Sequence, residues 1–167
     1  MKVVVVLDEY ELAHAAMAGC QRRIASIQKQ RPQFYGSEER KNYWQIDIIG
    51  MIAEYAVAKA FNLHWQPATN QKLSDLEGDV GTYQIRSTEH MTGHLFLHPK
   101  DKPAKYILAI VKENKVLLRG WIDLAAGLEI GEMKSPDTAW VRQDQLNSFN
   151  DWDDPIFWSA TVRARLS

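Results

Sequence analysis

The segment YILAIVK, residues 106–112, constrains this chain more than any other. It is apolar almost throughout and keeps no polar face for water, so it reads as a central strand covered on both sides. The chain has 167 residues, 46% of them hydrophobic, enough for one sizeable core and too few for two ordinary domains. A single domain is expected, with layers on both faces of a sheet.

The rest of the pattern supplies those layers. VVVVL (3–7) reads as a buried β-branched strand, and Asp8 with Glu11 three residues later forms a capping-box signature. That box opens a helix through about residue 31, before the Arg31-Pro32 step. PQFYGSEERKNY is loop-like, and a second helix is expected from about Trp44 to Phe61. HWQPATNQKLSDLEGD is irregular, with a short strand expected near Trp65. YQIRST, HLFLH, YILAIVK and VLLRGWI then read as strands, with a hairpin turn at Glu113-Asn114. Beyond Asp123 the signal weakens: AWVRQ reads as a strand and DQLNSF as a short helix, while PIFWSATVRARL fits either a helix or an edge strand.

A net charge of −1 and a pI near 6.5 lack the global basic signature of a nucleic-acid binder, so any such contact must come from local patches. Cys20 is the single cysteine; it allows no internal disulfide, reads as a helix-packing residue and makes a reducing, cytoplasmic compartment the expectation. MKVVVVL is too short an apolar run for a signal peptide, and no stretch approaches transmembrane length, so no membrane partner is expected.

Two features carry chemistry. In GDVGTYQIRST, residues 78–88, Asp79 sits beside a glycine-flanked turn, and Gln84 and Arg86 lie two apart in a strand and so project to one face. In the second helix, Glu54 is the lone acid of a nearly all-apolar segment, IGMIAEYAVAKAF. Burying it ionised without a cation, donor or metal would cost several kcal/mol, so it needs a partner.

The order IGMIAEYAVAKAF, GDVGTYQIRST and paired strands ending LLRGWI resembles the small phage-type members of the PD-(D/E)XK, or restriction-endonuclease-like, nuclease superfamily, over roughly residues 44–122. The resemblance implies an α/β restriction-endonuclease-like fold, a mixed β-sheet flanked by α-helices. It implies a metal-dependent nuclease with DNA as the expected substrate, using Mg²⁺ or Mn²⁺. Glu54 matches the helical acid, Asp79 the central metal-binding aspartate, and Gln84 the Glu/Gln position, where its side-chain oxygen and the Ile85 carbonyl help to hold the ion. Arg86 stands where the family usually has lysine and would stabilise charge on the phosphoryl oxygens. Glutamine leaves two carboxylates rather than three, and arginine keeps its charge but essentially cannot deprotonate. Both departures are compatible with activity, and equally with a catalytically inactive nucleic-acid- or protein-binding module on the same fold. An ordinary buried Glu54–Arg86 ion pair is a third alternative. Many such nucleases cut both strands as dimers; a homodimer is open here, with no interface legible.

For nucleic-acid contact the resemblance adds Arg86, and the loop after HLFLH offers Lys100, Lys102 and Lys105 near the motif. Ser87 and Thr88 either bond a phosphate or continue the strand, and Thr88 is kept as a contact residue. Other basic clusters, Arg22-Arg23 among them, read as solvated faces. His90, His94 and His98 recur every four residues, a metal-ligand spacing on a helix, but Gly93, LFL and Pro99 argue for a strand there. The six tryptophans read as core or interface anchors rather than base-stacking platforms.

Overall fold

A computed structural model of the chain describes residues 3–29, 42–69 and 78–152. The chain enters through β1 (Val3–Val6) and turns into α1 (Glu9–Gln28), where the expected capping box forms. Asp8 Oδ1 accepts from the Tyr10 and Glu11 amides, both at 2.9 Å, and the Asp8 amide donates to Glu11 Oε2 at 2.8 Å. Helix α2 (Tyr43–Phe61) begins at an Asn42 cap and ends at Asn62, whose left-handed φ of 51° closes the last turn.

The two helices run antiparallel. Lys59 of α2 meets Glu11 at 2.6 Å at one end, and Arg23 of α1 meets Asp47 at 2.6 Å at the other. At their crossing, a Cβ on Gly19 would lie 2.5 Å from Ile48 Cα, so only glycine admits the α2 backbone there.

Four strands form the main sheet in the order β1-β5-β4-β2. Strands β4 (Lys105–Lys112) and β5 (Lys115–Asp123) are the central hairpin, turned through Glu113 and Asn114 with Glu113 at a φ of 53°. β1 is antiparallel to β5, and β2 (Gln84–Thr88) is parallel to β4. Side chains alternate across β4 as the pleat requires. Ile107 and Ala109 join Ala53, Val57 and Phe61 of α2 in one core, and Tyr106 and Leu108 join a second core on the opposite face.

That second core corrects the expectation of a sheet flanked by helices alone. It is closed by another antiparallel sheet, β3-β7-β6, made of β3 (Leu95–Leu97), β7 (Thr138–Val141) and β6 (Glu132–Ser135), together with the short helix α3 (Leu124–Ile130). Leu95, Leu97, Leu124 and Val141 are its buried contributions. β1 differs too: it is an edge strand with Val3 and Val5 buried and Val6 half exposed, because only one of its faces meets the helices. Residues around Trp65 form no strand, a 3₁₀ turn (Gln143–Gln145) overlaps only the start of DQLNSF while Phe149 opens another, and PIFWSATVRARL falls outside the described residues. No helix among the described residues is long and apolar enough to cross a membrane.

Gly19→Ala should therefore destabilise the fold by about 1–3 kcal/mol through overpacking at the helix crossing. Gly50→Ala, whose Cβ would meet only Arg22 Nη1 at 3.5 Å, should be neutral or stabilising by up to about 1 kcal/mol through helix propensity. Urea denaturation of the two variants beside wild type checks the contrast.

Candidate active site

Glu54 faces inward from α2 and is 4% exposed. Its Oε1 accepts from Arg22 Nη2 of α1 at 2.8 Å. Arg22 belongs to the same helix face as Ala15, Ala18 and Gly19, which explains why a residue of a dibasic pair reaches the interior. Arg23 is buried as well, against Asp47, so the expectation of a solvated Arg22-Arg23 face is corrected: small residues on α1 bring both arginines between the helices. Glu54 Oε2 is buried with no hydrogen-bond partner among the described residues. The Trp65 indole lies near enough to favour the ionised carboxylate, but its N–H makes no hydrogen bond of proper geometry. Burial pushes the Glu54 carboxyl up to about 7; Arg22 pulls it down and the charge of Asp79 pushes it up.

Asp79 is placed by a tight reversal. Val80 and Tyr83 form an isolated bridge around Gly81, which takes a φ of 57° that favours glycine, and the Asp79 amide donates to the Tyr83 carbonyl at 2.8 Å. The Asp79 carboxylate then accepts the Ile85 amide at 2.7 Å through Oδ2. Since β2 is the outer strand of its sheet among the described residues, the aspartate occupies that edge. The N–H and C=O of one strand residue point the same way, so the Ile85 carbonyl is directed to that edge too. Burial raises the Asp79 pKa, the Ile85 amide, Arg86 and Arg22 oppose the rise, and Asp101 adds to it.

Gln84 and Arg86 share a face of β2, as their spacing predicts, and it is the face away from α2, since Ile85 enters the helix-side core. Arg86 is fixed from the second-sheet side. Its Nη2 donates to Asp101 Oδ2 at 3.1 Å and its guanidinium lies 5.0 Å over the Tyr106 ring. Asp101 Oδ2 also accepts the His98 amide at 2.9 Å, and the Tyr106 hydroxyl donates to the Lys102 carbonyl at 2.9 Å. Burial, reinforced by Asp101, pushes that phenol up to about 12, so it stays neutral.

Asp79 at the strand edge lies within electrostatic reach of Glu54 on the helix side and of Arg86 on the other side. The Glu54–Arg86 ion pair is not formed; each has a different partner, Arg22 and Asp101. Arg22, Trp65, Asp101 and Tyr106 escaped sequence reasoning, although the Ala15–Ala18–Gly19–Arg22 spacing marks Arg22 as facing the helix pair.

The remaining sequence candidates scatter. Thr88 ends β2 with its hydroxyl oxygen accepting the His90 amide at 3.1 Å. Lys100 and Lys102 are exposed on either side of Asp101. Lys105 turns to the helix-side face, with Nζ 4.3 Å over the Trp121 ring and 3.9 Å from Asp123, and so does not join them. An open depression of about 380 Å³ lined by Thr82, Tyr83, Lys105 and Asp123 holds none of the site's carboxylates. His94 stacks on Trp140 at 5.4 Å, and His98 Nδ1 lies 2.6 Å from the Asp137 carbonyl. Among the described residues no group of three or more His, Cys, Asp or Glu is arranged to hold a metal, and the expected ligand set contains only two carboxylates.

Comparison with protein-family models, curated proteins and solved structures finds no match to this chain.

A carboxyl whose pKa is raised in the folded chain binds its proton more tightly there than in the unfolded chain. It favours the fold at acid pH, and that contribution is lost as pH rises from the ordinary 4.5 of Glu54 through about 7. In EDTA, the urea midpoint should fall between pH 5 and pH 7.5, and Glu54→Gln should flatten the fall. An equal slope in the variant would remove Glu54 as its source.

Proposed function

We propose that the chain is a metal-dependent nuclease that hydrolyses phosphodiester bonds, with DNA as the expected substrate. The observation that carries this reading is Asp79 at the outer edge of β2 within electrostatic reach of both Glu54 and Arg86, with one buried glutamate oxygen lacking a hydrogen-bond partner among the described residues. An orphaned oxygen in a low-dielectric site, next to a second carboxylate, fits a hard divalent cation such as Mg²⁺. Glu54 Oε2, the free oxygen of Asp79, the Ile85 carbonyl and the Gln84 amide oxygen are the groups that would hold it. When bound, the ion would polarise a phosphate oxygen and make water a better nucleophile.

The other residues have definable tasks. Arg86 presents a permanent positive charge for the non-bridging oxygens of a phosphodiester, strongest where charge builds in the transition state. Asp101 and Tyr106 hold that guanidinium in place, limiting reorganisation. Arg86 has no proton it can exchange at ordinary pH, so its role is electrostatic. Arg22 keeps Glu54 oriented and offsets part of the repulsion between the two carboxylates. Lys100 and Lys102, exposed beside Asp101, suit contact with the backbone of a bound strand.

The test is cleavage of supercoiled, linear and single-stranded DNA with Mg²⁺, Mn²⁺ or EDTA. Asp79→Asn is the better variant, because an amide oxygen can still accept the Ile85 N–H that Asp79→Ala would strand. It should retain the fold and lose metal-dependent cutting. Arg86→Met should lose about 100-fold or more in rate, with Arg86→Lys recovering much of it. EDTA-insensitive cutting, or an Asp79→Asn chain that cuts like wild type, would contradict the assignment; a folded wild type that cuts nothing would favour the binding module.

A further inference from the structure

The outer face of α1 takes no part in the site, yet it carries four of the large hydrophobic side chains left exposed among the described residues. Tyr10, Met17, Ile24 and Ile27 are 78%, 62%, 45% and 56% exposed. With Ala13, exposed, and Cys20, half-buried, they occupy positions 10, 13, 17, 20, 24 and 27. That is the alternating three-and-four spacing of a coiled-coil seam. The opposite face of the helix, through Ala15, Ala18, Gly19 and Ala25, is already buried against α2 and the core. Helix α1 therefore has two apolar faces, and the described residues pack against one of them.

We propose that this stripe pairs antiparallel with the same stripe on a second copy of the chain, forming a two-fold dimer. The spacing is self-complementary. In one register Tyr10 meets the partner's Ile27, Ala13 meets the partner's Ile24 and Met17 meets the partner's Cys20, and the two-fold axis repeats every layer. Two of the layers set a small side chain against a large one, which lets the helices interdigitate. The exposed flanks are Glu9, His14, Gln21 and Gln28, so self-pairing brings no row of like charges together. Glu9, at the start of one helix, approaches the end of its partner, where Lys29 stands, and the two helix dipoles oppose.

The area agrees. The four large residues expose roughly 500 Å² per chain, so a pair would bury up to about 1,000 Å², at the threshold of a specific interface. Such a dimer should be concentration-dependent rather than permanent. A membrane surface is the weaker fit, since an interfacial helix normally carries Lys and Arg along its flanks and these are almost uncharged.

Sedimentation equilibrium across a wide concentration range tests the pairing. Wild type should move from monomer to dimer, and Met17→Lys, a change at an exposed position, should remain monomeric with the melting temperature that wild type shows when dilute and monomeric. Chain direction is read by oxidative cross-linking in a Cys20→Ser background. Ala13→Cys with Ile24→Cys should cross-link between chains, while Ala13→Cys alone should not. A wild type that stays monomeric, a Met17→Lys chain that still dimerises, or cross-linking of Ala13→Cys alone would each overturn the proposal, as would binding to vesicles in place of self-association. Because these readouts do not involve cleavage, they stand or fall apart from the nuclease assignment.

Discussion

A carboxylate held away from water with only one of its oxygens satisfied is the constraint around which this molecule is arranged. Glu54 is carried inward by the largely apolar stretch IGMIAEYAVAKAF of α2, and α1 must supply the countercharge. Arg22 can do so because Gly19, one turn earlier, lets the helix backbones approach to contact distance. Leaving such a charge unpaired costs several kcal/mol, and even a good pair recovers little net stability. Apolar residues in both positions would pack as well or better, so the pair is better explained by what Glu54 faces than by what it adds to the fold.

What it faces is a strand edge. Among the described residues β2 is the outer strand of the main sheet, and at its outer edge the Asp79 carboxylate accepts the Ile85 amide. Edge strands expose a row of unpaired backbone groups, and here an acidic side chain takes one of them while an arginine is fixed from behind by Asp101 and Tyr106. The second sheet thereby has a role beyond closing a core: the turn carrying Asp101 leads from β3 into β4, so it sets where the Arg86 guanidinium rests. Two cores on opposite faces of β4 and β5 bring together groups that lie far apart in the chain.

Much of this was legible because it is local. The capping box at Asp8 and Glu11, the hairpin at Glu113-Asn114 and the apolar run of β4 are short-range signals that the structure reproduces. The shared projection of Gln84 and Arg86 follows from strand pleating alone. What was hidden depends on pairing across long separations. Nothing in QIRST says that it lies parallel to YILAIVK at the sheet edge, and nothing in Arg22-Arg23 distinguishes a buried pair from a solvated one except the small residues beside it. Helix α3 and β6 were missed because LAAGLEIGEMKS has neither a sustained helical stripe nor strand alternation. Asp101 lay in a loop read for its lysines, and its contact with Arg86 exists only once β2 and β4 are side by side.

The claim on which the account depends is that Glu54 and Asp79 form one cation site at the β2 edge. Titration of the purified chain with Mn²⁺, followed by electron paramagnetic resonance, tests it without requiring a substrate. Saturable binding of Mn²⁺ by wild type, lost in both Glu54→Gln and Asp79→Asn while each variant keeps its circular dichroism spectrum, is the predicted result. No saturable binding by folded wild type, or binding that survives both substitutions, would contradict it.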